Sequence, residues 1–186
     1  MLERLDPRRS LLLVVDVQER LAAAMAPDAL GRTTRNVGIL LETSRILGAA
    51  VVATEQYPKG LGPTVASVAE HLTARAITPI AKTTFDALGE PAVGAALVKA
   101  APLYVVVAGM EAHVCVYQTV RELLRRRLRV VVAMDAVASR TEDNRAAGLA
   151  LASRAGAALM PTETIVFDWL ERAGTDEFRA VSKLVR

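Results

Sequence analysis

The chain has a single cysteine, Cys115, in the segment Gly109-Met110-Glu111-Ala112-His113-Val114-Cys115 that follows its most apolar block. Cysteine attacks only as a thiolate, and a free thiol of pKa about 8.5 is mostly protonated at neutral pH. Two other residues are of types that change this. Asp16 ends the block LLLVVD, and Lys82 ends AITPIAK. A carboxylate beside the thiol can take its proton and later activate water. An ammonium stabilises the thiolate by its charge, and in a semi-buried cleft Asp and Lys hold each other ionised. Cys115 also falls where a helix begins, and the positive end of a helix dipole favours a thiolate. Each residue has a plainer reading: an Asp that caps a turn, a solvated Lys, a Cys packed as a small hydrophobe. What favours chemistry is that all three fall at the carboxyl ends of candidate strands, where open α/β sheets bind ligands.

Other residues after these strands supply a pocket. Leu21, Gln56, Tyr57 and His113 follow strands and are candidates for substrate contact, while Gln18 and Phe85 read as supports. His113 lies two residues before Cys115 and is the rival base. Neighbours at a strand-to-helix turn usually point apart, so it reads as a pocket or structural residue. His71, in AEHLTAR, reads as a surface helix residue. The loop Gly60-Leu61-Gly62-Pro63 contains no GxxxxGK[ST] and shapes a pocket rather than cradling phosphate. In RELLRRRLR, Arg121 to Arg129, the leucines repeat at helical spacing. The arginines are then the solvated face of a packed helix, with Glu122 able to pair with Arg125 or Arg126.

The elements that must position these residues are visible in the pattern. Six apolar blocks, at 11–16, 49–54, 76–82, 103–109, 129–137 and 156–161, are short, Val-rich and without polar alternation, the mark of strands buried on both faces. Pro79 makes the third an edge or irregular strand. Between them the period becomes helical: Thr33–Leu47, Pro91–Ala100, Val116–Arg127, and a helix opened by Thr141 and closed near Gly156. Strand and helix in alternation give a three-layer α/β/α domain on a mostly parallel six-stranded sheet. The tail, Pro161 to Arg186, is helical in pattern and packs on the body or on a second subunit.

Composition limits the rest. One domain over residues 1–186 is expected, long enough to bury roughly 70% of its unfolded surface. Hydrophobic residues make up 52% and charged residues 23%, so the chain is an ordinary globular one. One cysteine excludes an internal disulfide and a CxxC pair, and two histidines leave little room for a His-rich metal centre. The net charge of +3 and seven aromatic residues give no case for nucleic acid. No apolar run approaches membrane-spanning length, and MLERLDPRRS lacks a signal-like pattern. A cytoplasmic location is expected.

Read in order, LLLVVDVQERL, EQYPKGLGPTV, AKTTFDAL, VVVAGMEAHVCVYQTVREL and RVVVAMDAVASRTEDNRAAGLALASRAGA resemble the isochorismatase-like cysteine hydrolases over nearly the whole chain. The resemblance is greatest to isochorismatase-domain-containing proteins of undefined substrate. It implies a Rossmann-like fold, a catalytic triad of Asp16, Lys82 and Cys115, and a thioester-type intermediate hydrolysed by water. It also implies a non-proline cis peptide at Met110–Glu111 and an oxyanion hole made by the backbone N–H groups of Glu111 and Cys115. A homo-oligomer acting on a small molecule is implied as well. Nicotinamidases of the family bind a metal through histidines after the second strand. Here TEQYPKGLGPT contains none, so no metal or other cofactor is expected. Because Cys115 is present, hydrolysis of an amide-like C–N bond is the expected activity. The alternative is a redox-sensing or non-catalytic binding protein on the same fold. A dinucleotide-binding protein is a weaker third, since DVQER stands where GxGxxG would be.

Overall fold

The strand at the centre of the sheet, β4 (Tyr104–Met110), is buried at every residue, and so is its neighbour β1 (Ser10–Val15). Continuous burial on both faces is what their unbroken apolar runs require. In this computed structural model, which describes residues 3–186, β2 (Ala50–Gln56), β3 (Ile80–Lys82), β5 (Arg129–Ala138) and β6 (Ala158–Met160) complete a six-stranded sheet. Met1 and Leu2, the start of the N-terminal segment read above, lie outside the described residues. The order is β3-β2-β1-β4-β5-β6, and every pairing in the sheet is parallel. This is the doubly wound order that reverses direction between β1 and β4, where a crevice opens at the carboxyl ends.

Side chains alternate across the sheet and build two cores. Leu12, Val14, Val106 and Ala108 face a layer formed by α2 (Pro27–Leu47), α4 (Ala66–Thr73), α8 (Thr162–Leu170) and α9 (Asp176–Val181). Leu11, Leu13, Val105 and Val107 face the layer of α5 (Pro91–Ala100), α6 (Tyr117–Arg125) and α7 (Glu142–Ala155). The expected three-layer α/β/α architecture is therefore the observed one. Two short helices, α1 (Glu19–Ala22) and α3 (Pro58–Leu61), sit in the loops after β1 and β2.

Local signals account for the helix ends. Thr141 accepts a hydrogen bond from the Asn144 N–H at 3.2 Å, Glu142 and Asp143 occupy the first turn of α7, and Gly156 ends it in the left-handed region. On α6, Thr119, Val120 and Leu123 are buried, and Glu122 pairs outward with Arg125 at 2.6 Å and Arg126 at 2.8 Å. The arginine run is the paired, exposed face expected of it. The tail docks on its own body: the Trp169 indole N–H donates to Ser10 at 3.1 Å, and the Leu5 N–H donates to the Asp168 carboxylate at 2.7 Å. His71 departs from expectation. It is half-buried, with its ring against Gly38 of α2, where the missing side chain makes room for it.

One irregularity shapes the carboxyl end of the sheet. Between β4 and β5 the register jumps from Val107↔Val132 to Gly109↔Val137, so β5 carries extra residues. Arg145 of α7 holds this bulge, donating to the carbonyl oxygens of Val137, at 3.0 Å, and Met134. Asp135 within it accepts from the Thr162 N–H and hydroxyl, both at 2.7 Å.

Candidate active site

Parallel register brings the chemical residues together. Val15 pairs with Thr54 on one side and Gly109 on the other, and Gln56 pairs with Lys82. Asp16, Thr54, Gln56 and Lys82 therefore lie at one edge, and Cys115 sits in the turn that leaves β4. Gly109, at φ +126, is required here: a Cβ on it would lie 2.0 Å from the Val15 carbonyl oxygen, so only glycine lets β4 pass beside the end of β1. Asp16 itself is left-handed, at φ +51, and its N–H donates to the Thr54 carbonyl at 3.1 Å. Aspartate tolerates that conformation better than most side chains.

The Asp16–Lys82 pair is wholly buried, with Nζ 2.6 Å from Oδ2. The other carboxylate oxygen accepts from the Thr54 hydroxyl at 2.7 Å. Lys82 Nζ also donates to Gln56 Oε1 at 2.6 Å and to the carbonyl oxygens of Thr84 at 3.1 Å and Phe85 at 3.3 Å. Four acceptors surround three protons, so the ammonium is fully satisfied without water. Such a lysine holds a negative charge in place.

Cys115 is 5% exposed and packs in the core facing α5, α6 and α7. It lies in a π-helical turn, Ala112–Val116, that leads into α6. The Glu111 carbonyl accepts from the N–H groups of Val114 at 3.1 Å and Val116 at 3.2 Å. Burial first, and then the Asp16 charge, push the Cys115 thiol up to about 12, outweighing the opposing pull of Lys82. This corrects the expectation of a resting thiolate: the thiol is neutral, with a carboxylate beside it able to take its proton during attack.

The thiol's state has a measurable consequence. Alkylation of Cys115 by iodoacetamide at pH 7 should be at least about 100-fold slower than that of a model thiol, and should rise about tenfold per pH unit through pH 9. A rate that is fast and flat between pH 6 and 8 would refute a neutral thiol. Stability follows the same linkage. The folded pKa is raised, so between about pH 9 and about pH 12 the unfolded chain loses this proton and the folded one keeps it. Wild type should therefore lose stability across that window relative to Cys115→Ala, while below it the difference between them stays constant.

The remaining candidates are distributed as follows. The Met110–Glu111 peptide is cis, as the resemblance implied. The Glu111 side chain turns to Arg140, accepting from its backbone N–H at 3.1 Å and from Nε at 3.0 Å, and so fastens the turn after β5 to the cysteine turn. His113 Nδ1 is 3.0 Å from the Ser139 hydroxyl in that same turn. Gln56, expected to touch substrate, is 7% exposed and spends its amide on Lys82 and, at 2.7 Å, on the Thr83 carbonyl; it positions Lys82. Tyr57 is 55% exposed and lines a cleft of about 340 Å³ with Pro58, Lys59, Lys82, Thr83 and Glu90. Leu21 packs against the α2-side core. Gln18 is a buried latch, donating to the carbonyls of Gln56 at 3.0 Å and Gly62 at 2.7 Å and accepting from the Gln56 N–H at 2.7 Å. Thr54 is the residue that sequence reasoning left without a role; its signal was a hydroxyl at the end of an apolar strand. Among the described residues no group of three His, Cys, Asp or Glu side chains is placed to hold a metal ion, and no helix is long and apolar enough to cross a membrane.

Comparison with known proteins decides the lineage of this arrangement. The profile of the Isochorismatase domain matches residues 10–164. The chain belongs to the isochorismatase-domain family. Isochorismatase domain-containing protein 2 of Homo sapiens is 34% identical over 188 residues, covering 100% of this chain and 87% of the human one. A solved structure described as the MAR1 ribonuclease of Caenorhabditis elegans superposes with a TM-score of 0.89 at 35% identity, over 98% of this chain and 92% of that one. The YcaC gene product of Escherichia coli, described as an octameric hydrolase of unknown specificity, shares the fold with a TM-score of 0.87 at 21% identity, over 97% and 90% of the two chains. Membership in the isochorismatase-domain family supports a hydrolase role for this chain.

Proposed function

We propose that this isochorismatase-domain protein is a single-domain, metal-independent cysteine hydrolase of small amide-like substrates. The observation that carries the reading is the buried Lys82–Asp16 pair beside a neutral Cys115 thiol. Lys82 and Thr54 hydrogen-bond both oxygens of Asp16, so the base proposed next to the sulfur is a carboxylate held in place. As Sγ attacks the carbonyl carbon, its proton passes to Asp16 and the C=O electron pair moves onto oxygen. The N–H groups of Glu111 and Cys115 are the donors assigned to that oxyanion. The tetrahedral adduct collapses, the C–N bond breaks, and the amine leaves with the proton from Asp16. Water then attacks the thioester while Asp16 takes its proton. The acid departs, and Asp16 returns the proton to sulfur.

A redox-sensing role fits less well, because sensor thiols are exposed and of low pKa and Cys115 is neither. Nor do the α6 arginines favour RNA as substrate, since Glu122 pairs with two of them. We read the protein as cytoplasmic, with a small-molecule substrate and no nucleic-acid or membrane partner. It acts as a homo-oligomer, as the octameric neighbour does.

The test is a panel of acetamide, isobutyramide and benzamide, followed by ammonia release and by intact mass after rapid acid quench. Turnover with an acyl adduct on the Cys115 peptide is expected. Turnover that leaves Cys115 unmodified under single-turnover conditions would overturn the covalent mechanism. Cleavage of a short RNA with the amides untouched would overturn the substrate class.

A further inference from the structure

The cysteine turn is braced from one side by the end of β5 and by α7. Glu111 holds Arg140, His113 meets Ser139, and α7 itself presses against the turn at Gly148. Gly148 is buried in the middle of α7. A Cβ built there would lie 2.5 Å from the carbonyl carbon of Ala112, and 2.6 Å from both the Ala112 oxygen and the His113 nitrogen. These are backbone atoms, which cannot swing aside as a flexible side chain can. Carbon atoms at optimal separation stand ~3.5 Å apart, so a methyl group would displace the turn from α7 by about 1 Å.

Other helix glycines are not under this constraint. A Cβ on Gly94 of α5 would meet only Arg126 Nη1, at 3.8 Å, and one on Gly31 of α2 would meet nothing within 4 Å. Glycine inside a helix is destabilising relative to alanine. At Gly148 that disadvantage is offset by the contact the missing side chain permits.

We infer that Gly148 is a positioning residue for the nucleophile: by letting the α7 backbone touch Ala112 and His113, it sets the distance of the Cys115 sulfur from Asp16. The inference rests on the reading of Cys115 as the nucleophile. Asp16 directly follows β1, and Lys82 and Thr54 stand on β3 and β2, so a change at Gly148 of α7 moves one side of the triad and leaves the other in place.

The experiment compares Gly148→Ala with Gly94→Ala and Gly31→Ala in the full chain, each first checked for a cooperative unfolding transition. The readouts are kcat and KM on whichever panel amide is turned over fastest, and the rate of Cys115 alkylation by iodoacetamide. For Gly148→Ala, kcat should fall about 100-fold, the order of loss that a 1 Å misplacement of a reacting group brings, with KM within about threefold of wild type. Alkylation should become at least about fivefold faster, because the displaced thiol loses burial and its position beside Asp16. A probe that reacts faster on an enzyme that turns over more slowly is not the result of general loosening without effect on the turn. Both controls should match wild type in both readouts. The inference is overturned if Gly148→Ala keeps wild-type kcat, if kcat falls with alkylation unchanged, or if Gly148→Ala fails to fold while the controls fold. Alkylation needs no substrate. Turnover that survives Cys115→Ala, with alkylation still altered by Gly148→Ala, would sink the hydrolase mechanism and leave the placement of the turn standing.

Discussion

Lys82→Met should destabilise the protein by about 3–5 kcal/mol, the cost of leaving a buried partner charge unmatched, and should abolish measurable turnover. The physical reason is that Asp16 is fully buried and Lys82 is the cation bonded to it, at 2.6 Å. Without Lys82 the carboxylate retains the Thr54 hydroxyl, a neutral partner that does not offset the cost of burying a charge. Asp16 would then be a buried group without its cation, no longer held in place as the base. Chemical denaturation checks the first half of this expectation. The double variant Asp16→Asn/Lys82→Met checks the cause, since removing both charges should restore at least half of the lost stability while turnover stays absent. If the single variant is as stable as wild type, the pair is not the structural unit described above.

Cys115→Ala is the second large effect, and it is the opposite in kind. Turnover should fall by at least about 10⁴-fold, in line with removal of other enzymatic nucleophiles. Stability should change little, because a Cys-to-Ala change removes one small buried atom and leaves Lys82 and Asp16 paired. Removing the thiol also removes a group whose ionisation burial and Asp16 both oppose. Ammonia release at more than a hundredth of the wild-type rate, from protein shown by mass to carry alanine, would exclude sulfur as the nucleophile. Together the two variants separate the group that forms the bond from the group that keeps the base charged.

The framework of this site was readable from sequence for a simple reason. A strand buried on both faces is a continuous apolar run, so its first polar residue marks where the sheet ends. Asp16 and Lys82 were found that way, and β1, β2, β4 and β5 followed within a few residues. The short edge strand β3, Ile80–Lys82, begins right after Pro79, which is the irregularity the proline announced. What sequence cannot show is the direction in which a strand-end side chain turns. Gln56 was expected to meet substrate because of where it lies, yet its amide is consumed by Lys82 and Thr83. Glu111 and Arg140 are 29 residues apart and no periodicity links them. The state of Cys115 was misjudged because the dipole of a helix start was weighed without the burial that accompanies it. Helical periodicity did place α6, but it gave no hint of the π-helical turn, Ala112–Val116, that carries Cys115 into it. The Gly148 contact was hidden for a related reason: a glycine within a helical pattern has no partner until the second backbone is in place.

The two edges of the sheet carry one more consequence. β3 and β6 are each three residues long. A strand of another chain laid against either would find only a short ladder to extend. Such short edges disfavour the joining of copies by continuation of one another's sheets. Helix faces and loops are the surfaces left for copies to meet on, and there side chains would choose the partner. The same short edges give the folded chain little template for fibrous association, and the surfaces left for assembly are ones that mutation can change without disturbing the strands beneath.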